Sequence, residues 1–477
     1  DIIILEEDKM KKFWEKHDLL KVAGIMVIIT VIMTWIVKQG SWNGTELALG
    51  EITRVGIFDF FTYGLLGMFY FTVLVTFIFV VGGFYQVLAK TSGYQNLTNF
   101  IAKKSKGKEI LFVLIVSFII AVLSAILNEY YILLAFIPFI LSIMSKMKLD
   151  KITGFVTTFG SILIGFIGSI YSAKIVGINN GIFSLEYNDF IWFKLCLFGI
   201  SYILFNTFTV LHLKKKLNSK KDETLNELFD DENVTKKAKG KTWPMAVIFG
   251  LFVLIAILAY LPWVDAFNVS IFNDMTKSIK EFELFGAPVF GYLLGNVEAF
   301  GNWDLFGIQI LMLITALIVK WTYKINLSDF FTSFGEGFAK VGKLVVVLLA
   351  AFLILEFAVM FPVIPTIIDW IMNISSSFNV FLGTISGLFA SMFTTEYQYS
   401  ANLIGSYLSG TYADIAKQIS IMMQSTFGIS ALIAPSSAIL LVGLSYLGIS
   451  YKEWFKYIWK FLVAMIVISM ILMFIII

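Results

Sequence analysis

Apolar segments run almost end to end through this chain of 477 residues, and no other feature limits its possible folds so strongly. Hydrophobic residues make up 58% of the sequence and charged residues only 14%, whereas a soluble domain has about 25% charged residues. A chain this apolar needs lipid as its solvent, because even large soluble domains leave much of their surface in water. Apolar runs of about 20 residues match membrane-spanning helices. The sequence therefore predicts an all-α, polytopic membrane protein.

The lysines predict how the chain is threaded through the membrane, because loops rich in lysine stay in the cytoplasm. Residues 1–21 hold five lysines and residues 214–241 hold nine, together with six acidic residues. We expect both segments to be cytoplasmic. The predicted divisions are an N-terminal segment (1–21), a first repeat (22–212), a charged linker (213–242), a connecting span with an outer segment (243–302) and a second repeat (303–477). Nine crossings and two hairpins would place the N-terminus inside and the C-terminus outside the cell membrane.

Two apolar stretches are interrupted by a polar tip that contains a glutamate. The tips are 128–131, with Glu129, and 394–400, with Glu396. Lysines flank the first stretch on both sides, and no lysine flanks the second. Each stretch therefore fits a re-entrant hairpin, the first open to the inside and the second to the outside. Two complete crossings joined by an ordinary loop fit the first stretch equally well.

Two further spans are broken, one at Ser169–Ser172 and one at Pro435. The order of hairpin, broken helix and final span recurs in both halves with opposite direction, which predicts an inverted repeat. The spacing agrees: 43 residues separate Glu129 from Ser172 and 40 separate Glu396 from Ser436. Paired interruptions at corresponding positions are the best sequence indication of a transporter binding site near the middle of the membrane.

The tips and breaks supply the candidate substrate-binding residues. These are Asn128, Glu129, Ser169, Tyr171, Ser172, Lys174, Thr394, Thr395, Glu396, Gln398, Asn402, Pro435, Ser436 and Ser437. Acidic residues deep in apolar sequence usually mark substrate or ion paths, so the two glutamates are expected to bind a cation, a proton or a cationic group of the substrate. The alternative for each is an ordinary loop. The small polar residues either bind a carboxylate or satisfy freed backbone groups.

Lys174 and Glu356 each have two interpretations. Cys196 and Asn179 have only a structural one. Lys174 is either an interface lysine whose ammonium group reaches the membrane surface or a partner for Glu129 or for a substrate carboxylate. Glu356, in the middle of a span, is either a structural acid or a third proton-coupling group. Cys196 lies in an apolar run and is expected to be a small buried hydrophobic residue. Asn179 is expected in an outer loop with its neighbours Asn180 and Gly181.

No spacing in the sequence fits a metal site, a catalytic nucleophile with its base, or an ATP-binding loop. His17 and His212 are far apart in the chain. We therefore expect a protein that is not an enzyme and that has no metal or cofactor, apart from Na⁺ or H⁺ as a coupling ion. The expected partners are a small-molecule substrate and the lipid bilayer, without nucleic acid.

Two stretches resemble a known family. Gly82-Gly83-Phe84 followed by Val87-Leu88 and Lys90-Thr91 resembles the GGF-x-x-V-L-x-K-T stretch of YfcC-like proteins, and 433–437 followed by 443–454 resembles their closing motif. That family groups with the C4-dicarboxylate anaerobic carriers and with AbgT-type transporters. The resemblance implies a scaffold domain, a mobile transport domain that carries both hairpins, elevator-like movement, a homodimer, and small carboxylates or amino acids as substrates.

The chain departs from the family pattern at the expected site. Asn128-Glu129 replaces a pair of acids, Ile170-Tyr171 replaces Asn-Pro, and Ser436 replaces a threonine. We therefore predict a secondary active transporter, either an antiporter or an ion-coupled symporter, of a small amino acid or a related zwitterionic metabolite. A C4-dicarboxylate or short-peptide carrier of the same fold is the first alternative. A channel is the alternative from a different class.

Overall fold

The computed structural model describes residues 18–217, 224–225, 227–229 and 241–477 of the chain. The predicted N-terminal segment therefore lies outside the described residues except for 18–21, and His17 lies outside them too. The predicted linker is described only in part.

The described part of the first half is helical apart from a two-stranded hairpin. Its elements are α1 (Asp18–Ile36), β1 (Gly40–Trp42), β2 (Leu47–Leu49), α2 (Ile57–Tyr70), α3 (Thr72–Ala89), α4 (Ser92–Ser105), α5 (Glu109–Ile126), α6 (Tyr130–Lys146), α7 (Lys151–Ile167), α8 (Ile178–Phe183, preceded by the π-helical turn Ala173–Gly177) and α9 (Ile191–Leu217). The strands pair antiparallel, with Ser41 opposite Ala48.

The described part of the second half is also helical. Its elements are α10 (Trp243–Tyr260), α11 (Ile271–Glu281), α12 (Val289–Leu294), α13 (Leu305–Thr322), α14 (Leu327–Met360), α15 (Ile364–Met372), α16 (Val380–Ser391), α17 (Tyr397–Ser400, continued by the π-helical turn Ala401–Gly405 and by Ser406–Thr411), α18 (Ala416–Ala431), α19 (Ala438–Leu447) and α20 (Tyr451–Ile476). Several helices begin at a polar side chain that accepts hydrogen bonds from the free backbone N–H groups of the first turn. Asn326 caps α14, Asn379 caps α16 and Ser450 caps α20.

Among the described helices, eight are long and apolar enough to cross a membrane: α1, α3, α5, α9, α10, α13, α14 and α20. Seven of them coincide with predicted crossings, and α5 is the first arm of the predicted first hairpin. The other two predicted crossings are the interrupted helices, α7 with α8 and α18 with α19. The prediction of an all-α, polytopic membrane protein is confirmed. The direction of each half relative to the membrane, and hence the inversion, stays a prediction.

One group of helices, which we call the scaffold group, consists of α2, α3, α13 and α14. α14 packs along α2 and α3, and α13 packs on α3. The backbones of α3 and α14 touch where two glycines face each other, since a Cβ atom on Gly82 would lie 2.6 Å from the carbonyl oxygen of Gly337. The Gly82-Gly83 pair therefore serves close helix packing.

The second group, which we call the site group, consists of α5 to α9 and α16 to α20. α5 packs on α7 and α9, as α16 packs on α18 and α20. The interrupted helices α7 and α18 also pack on each other, and a Cβ atom on Gly428 would lie 2.6 Å from the backbone nitrogen of Ile167. The two halves thus repeat the same packing partners in the same order along the chain.

Two local predictions are wrong. Asn179, Asn180 and Gly181 lie within α8 and not in a loop, because the chain resumes a helix directly after the break. Cys196 is exposed on α9 rather than buried. It lies on the same outward face as Trp192 and Leu195, which are also exposed, and this apolar surface would face lipid.

The contact between α3 and α14 predicts a strong effect of side-chain volume at Gly82. We expect Gly82→Val to lower the free energy of unfolding by about 1–3 kcal/mol or more, because overpacking forces the two backbones apart. The matched control is Gly64→Val on α2, where a Cβ atom would meet no atom within 4 Å. Thermal unfolding of both variants in detergent is the measurement. Equal apparent Tm values would contradict the assigned contact.

Candidate functional site

The two predicted tips meet at a single lysine. Lys174 Nζ lies 3.0 Å from Glu129 Oε2 and 3.0 Å from Glu396 Oε2. Both glutamates are buried, with 7% and 8% exposure, and a buried charge needs a partner of opposite sign. The two tips are therefore not exposed loops, and the ammonium group of Lys174 does not reach out to a membrane surface. The three side chains form one network, which we call the Lys174 cluster.

Both oxygens of the Glu129 carboxylate have a partner. Glu129 Oε1 accepts a hydrogen bond of 3.0 Å from the backbone N–H of Tyr131, at the start of α6, while Oε2 faces Lys174. The preceding residue ties the tip to another part of the chain. The Asn128 backbone N–H donates to the carbonyl of Tyr260 at 2.9 Å, and Asn128 Nδ2 donates to the carbonyl of Gly301 at 2.8 Å. Both glutamate oxygens are thus fixed in position.

Each break is hydrogen-bonded to the hairpin that precedes it in the chain. At the first break, the backbone N–H groups of residues 170–172 all point to the carbonyl of Ala125, at 2.8–3.3 Å. At the second break, Ser436 Oγ donates to the carbonyls of Met392 at 2.8 Å and Thr394 at 3.0 Å. Non-helical backbone inside a membrane protein needs such partners. The breaks therefore position the tips.

A buried lysine that sequence reasoning missed also supports the first break. Lys194 on α9 is fully buried, and its Nζ donates to the carbonyls of Tyr187 at 2.6 Å and Ile170 at 3.3 Å. A cation near the carbonyl end of α7 also interacts favourably with the dipole of that helix. From the sequence, a single lysine near the end of a span resembles an interface lysine, so no pattern marked it.

Aromatic rings surround the ammonium group of Lys174. Its Nζ lies 5.7 Å from the centre of the Tyr130 ring and 5.1 Å from that of Tyr131, within the range of cation–π attraction. Across the cluster, the Tyr397 hydroxyl donates to Asn179 Oδ1, and this bond joins the second tip to α8. Sequence reasoning missed both Tyr397 and Asn179 as site residues.

Several buried polar atoms around the cluster have no hydrogen-bond partner among the described protein atoms. They are Asn128 Oδ1, the Tyr130 hydroxyl, Ser172 Oγ, Asn179 Nδ2, Thr394 Oγ1, Thr395 Oγ1 and Gln424 Oε1. Buried polar groups are nearly always paired, and each unpaired one costs about 1–3 kcal/mol. Seven such atoms in and around the tips and the first break are typical of a site built to receive a polar ligand or an ion.

The other predicted residues have structural contacts or lie elsewhere. Ser169 Oγ donates to the carbonyl of Ala125 at 3.3 Å, and Ser437 caps α19, which begins after the break at Pro435. Tyr171 turns to the outer loops, where its hydroxyl donates to Asn188. Asn402 is exposed on α17, and Gln398 is partly buried at the start of that helix.

Glu356 and His212 lie outside the Lys174 cluster. Glu356 is buried on α14 of the scaffold group and packs near Gly67 of α2. Tyr399 lies within electrostatic range of Glu356 and also of Glu396 and Lys174. His212 pairs with Asp150 at 2.8 Å, at the far end of α9. Among the described residues, no group of three His, Cys, Asp or Glu side chains could hold a metal ion.

Comparison with known proteins gives a family and several solved structures. The C4-dicarboxylate anaerobic carrier family (DcuC) matches residues 17–477. A solved structure, the YdaH transporter of Alcanivorax borkumensis, aligns over 95% of this chain and 97% of its own, with 13% identity and a TM-score of 0.39. No curated protein matches the sequence.

The Lys174 cluster predicts a pattern of stability changes. We expect Lys174→Met to lower the free energy of unfolding by about 3–5 kcal/mol, because two buried carboxylates lose their shared partner. Adding Glu129→Gln and Glu396→Gln to that variant should recover much of the loss. Lys417→Met, which removes a half-exposed ion pair with Asp189, is the control and should change little. Unfolding in detergent is the measurement, and a stable Lys174→Met protein would contradict the network.

Proposed function

This chain belongs to the C4-dicarboxylate anaerobic carrier family, and from that premise we propose that it is a secondary active transporter in the cell membrane. We propose that its substrate is a small amino acid or a related zwitterionic metabolite. The observation that carries the choice of substrate is the composition of the Lys174 cluster, in which two carboxylates share a single ammonium group.

The charge of the cluster favours a substrate with a cationic group. With all three side chains ionised, one negative charge is left over. A dicarboxylate would add two more negative charges, and like charges repel strongly in a medium of low dielectric constant. An amino group on the substrate could instead pair with Glu129 or Glu396. The lone arginine, Arg54, lies beside the ring of Trp35 at 5.9 Å, far along the chain from both tips.

The unpaired polar atoms could bind the carboxylate of a zwitterionic substrate. The hydroxyls of Ser172, Thr394 and Thr395 and the amide of Asn179 can donate hydrogen bonds to a carboxylate. These donors lie next to the carboxylates that would hold the amino group. A site with donors and carboxylates side by side is complementary to a small molecule that carries both charges.

The coupling ion in this proposal is Na⁺ or H⁺. Ends of broken helices and unwound carbonyls are the usual ligands of coupling ions in transporters of this general design. Asn128 Oδ1 in the first tip and Gln424 Oε1 near the first break are unpaired oxygens, and Gln424 Nε2 donates to the carbonyl of Ser169 at 3.0 Å. Glu129, Glu396 and Glu356 are the proposed proton-coupling groups.

The proposed movement is that of the site group against the scaffold group. The three residues of the Lys174 cluster all belong to the site group or to its tips, so the cluster can move as a unit. We expect the protein to act as a homodimer, with lipid around both protomers. Light scattering in detergent should then give twice the chain mass of 53.8 kDa after subtraction of detergent.

Two alternatives make different predictions. A C4-dicarboxylate or short-peptide carrier, the first of which is supported by the family description, would bind substrates with extra carboxylates or amides. A channel would pass its solute without saturation and without acceleration by substrate on the opposite side. Counterflow of labelled substrate in proteoliposomes distinguishes a carrier from a channel.

Thermal stabilisation of the purified protein tests the substrate class. A ligand that binds only the folded state adds about 2.7 kcal/mol of stability at a hundredfold excess over Kd. We expect zwitterionic amino acids to stabilise the protein and C4-dicarboxylates not to do so, with and without Na⁺. Glu129→Gln and Glu396→Gln should each abolish the shift, whereas Glu298→Gln in the exposed outer segment should keep it.

The same measurement separates the rival outcomes. Stabilisation by dicarboxylates alone would overturn the proposed substrate class and favour the first alternative. Stabilisation that survives both glutamate substitutions would show that the substrate binds elsewhere.

A further inference from the structure

A short piece of the charged linker returns to the protein and is packed into it. The described residues of this piece are Thr224, Leu225 and 227–229, and we call them the linker plug. Leu225 is 2% exposed and Phe229 is fully buried. Burial of a leucine and a phenylalanine is unexpected in a segment with six acidic residues and nine lysines, because such composition usually stays in water.

One end of the linker plug is fixed to the site group. Thr224 forms a β-bridge with Asp150. The Leu225 backbone N–H donates to the carbonyl of Leu149 at 2.8 Å, and Ser145 Oγ donates to the carbonyl of Leu225 at 2.9 Å. These bonds join the plug to the turn between α6 and α7, which follows the first hairpin.

The other end of the plug lies between the site group and the scaffold group. The Phe229 ring lies 5.9 Å from the ring of Tyr85 on α3 and 6.4 Å from that of Tyr446 on α19. Lys340 Nζ of α14 lies 5.9 Å above the same ring. Phe229 also lines an apolar cavity of about 30 Å³ whose walls come from both groups, including Val81 of α3 and Val442 of α19.

Glu227 places a carboxylate at the same boundary. Its charge lies within electrostatic range of the phenol groups of Tyr85 in the scaffold group, Tyr446 in the site group and Tyr94 on α4. The linker thus brings a carboxylate close to tyrosines of both groups, beside the apolar contact of Phe229.

We propose that the linker plug is a conformational lock that closes the boundary between the site group and the scaffold group on the side of the linker. Any sliding of one group along the other must release Phe229 from Tyr85 and Lys340 or from Tyr446. The plug therefore withdraws before the site group moves, and it sets how often this side of the protein opens. The inference rests on the proposed transport function, which requires that movement.

Accessibility of a thiol behind the plug tests the lock without any substrate. Ser142 on α6 is fully buried beside Tyr94, whose phenol group lies within electrostatic range of Glu227. In the full chain with Cys196→Ala, Ser142→Cys supplies the only thiol. Ser425→Cys, in the core of α18 where Ser425 is also fully buried, supplies the reference. Both proteins are treated with a water-soluble maleimide, and the labelling rates are compared.

If the plug opens and closes as a lock, the labelling rates at positions 142 and 425 should differ. Because local opening needs less free energy than global unfolding, the thiol of Ser142→Cys should react at least about tenfold faster than that of Ser425→Cys with the plug intact. Adding Phe229→Ala should raise the rate at position 142 further and leave position 425 unchanged. Glu227→Gln should act in the same direction but less. Phe331→Ala, which removes an exposed ring of α14, is the matched control and should have no effect.

Equal labelling at positions 142 and 425 would overturn the proposal, since the plug would then open only when the protein unfolds. If Phe229→Ala does not yield folded protein, Tyr446→Phe removes only a hydroxyl near Glu227 and serves as the conservative variant with the same expected direction. No acceleration in any folded plug variant would also overturn the lock. Because no substrate is used, failure here is distinguishable from failure of the transport proposal.

Discussion

The sharing of one ammonium group by two carboxylates is the interaction on which the rest of the site group depends. Glu129 and Glu396 come from hairpins 267 residues apart in sequence number, and Lys174 reaches both at 3.0 Å. Charges this deeply buried persist only with partners in place. The tips must therefore turn inside the protein, and the helices that follow must break where they do. The breaks in turn hold the hairpins, through the carbonyl of Ala125 in one half and those of Met392 and Thr394 in the other.

Much of this arrangement could be predicted from the sequence, because charge inside apolar sequence and interrupted helices are local signals. The spans, both tips and both breaks lie where the pattern indicated. The missing parts depend on tertiary contacts. Asn179 follows a break and precedes Asn180-Gly181, so it resembled a turn residue, yet it is buried and paired with Tyr397. Lys194 resembled an interface lysine, and only folding brings it to the carbonyls of the first break. The linker plug could not be predicted, since one aromatic side chain in a highly charged segment gives no periodic pattern.

Family membership and local chemistry constrain different aspects of function. The family match covers residues 17–477 and establishes the type of protein. This chain departs from the family pattern at positions beside the proposed site, including Asn128 and Tyr171. Asn128 is tied to Gly301 and keeps one unpaired oxygen beside Glu129, whereas Tyr171 turns away to Asn188. The first departure therefore changes the cluster directly, and the second changes its outer boundary.

The position of Lys174 in the chain has a consequence for biogenesis. Synthesis delivers the N-terminal half first, and that half contains both Lys174 and Glu129, which lie in one ion pair. The nascent first half can thus enter the membrane with the charge of Glu129 already paired. Glu396 is synthesised later, when Lys174 is already paired with Glu129. The stabilisation of Glu396 in the membrane therefore depends on the first half being in place. Assembly of the halves is therefore ordered by charge as well as by translation.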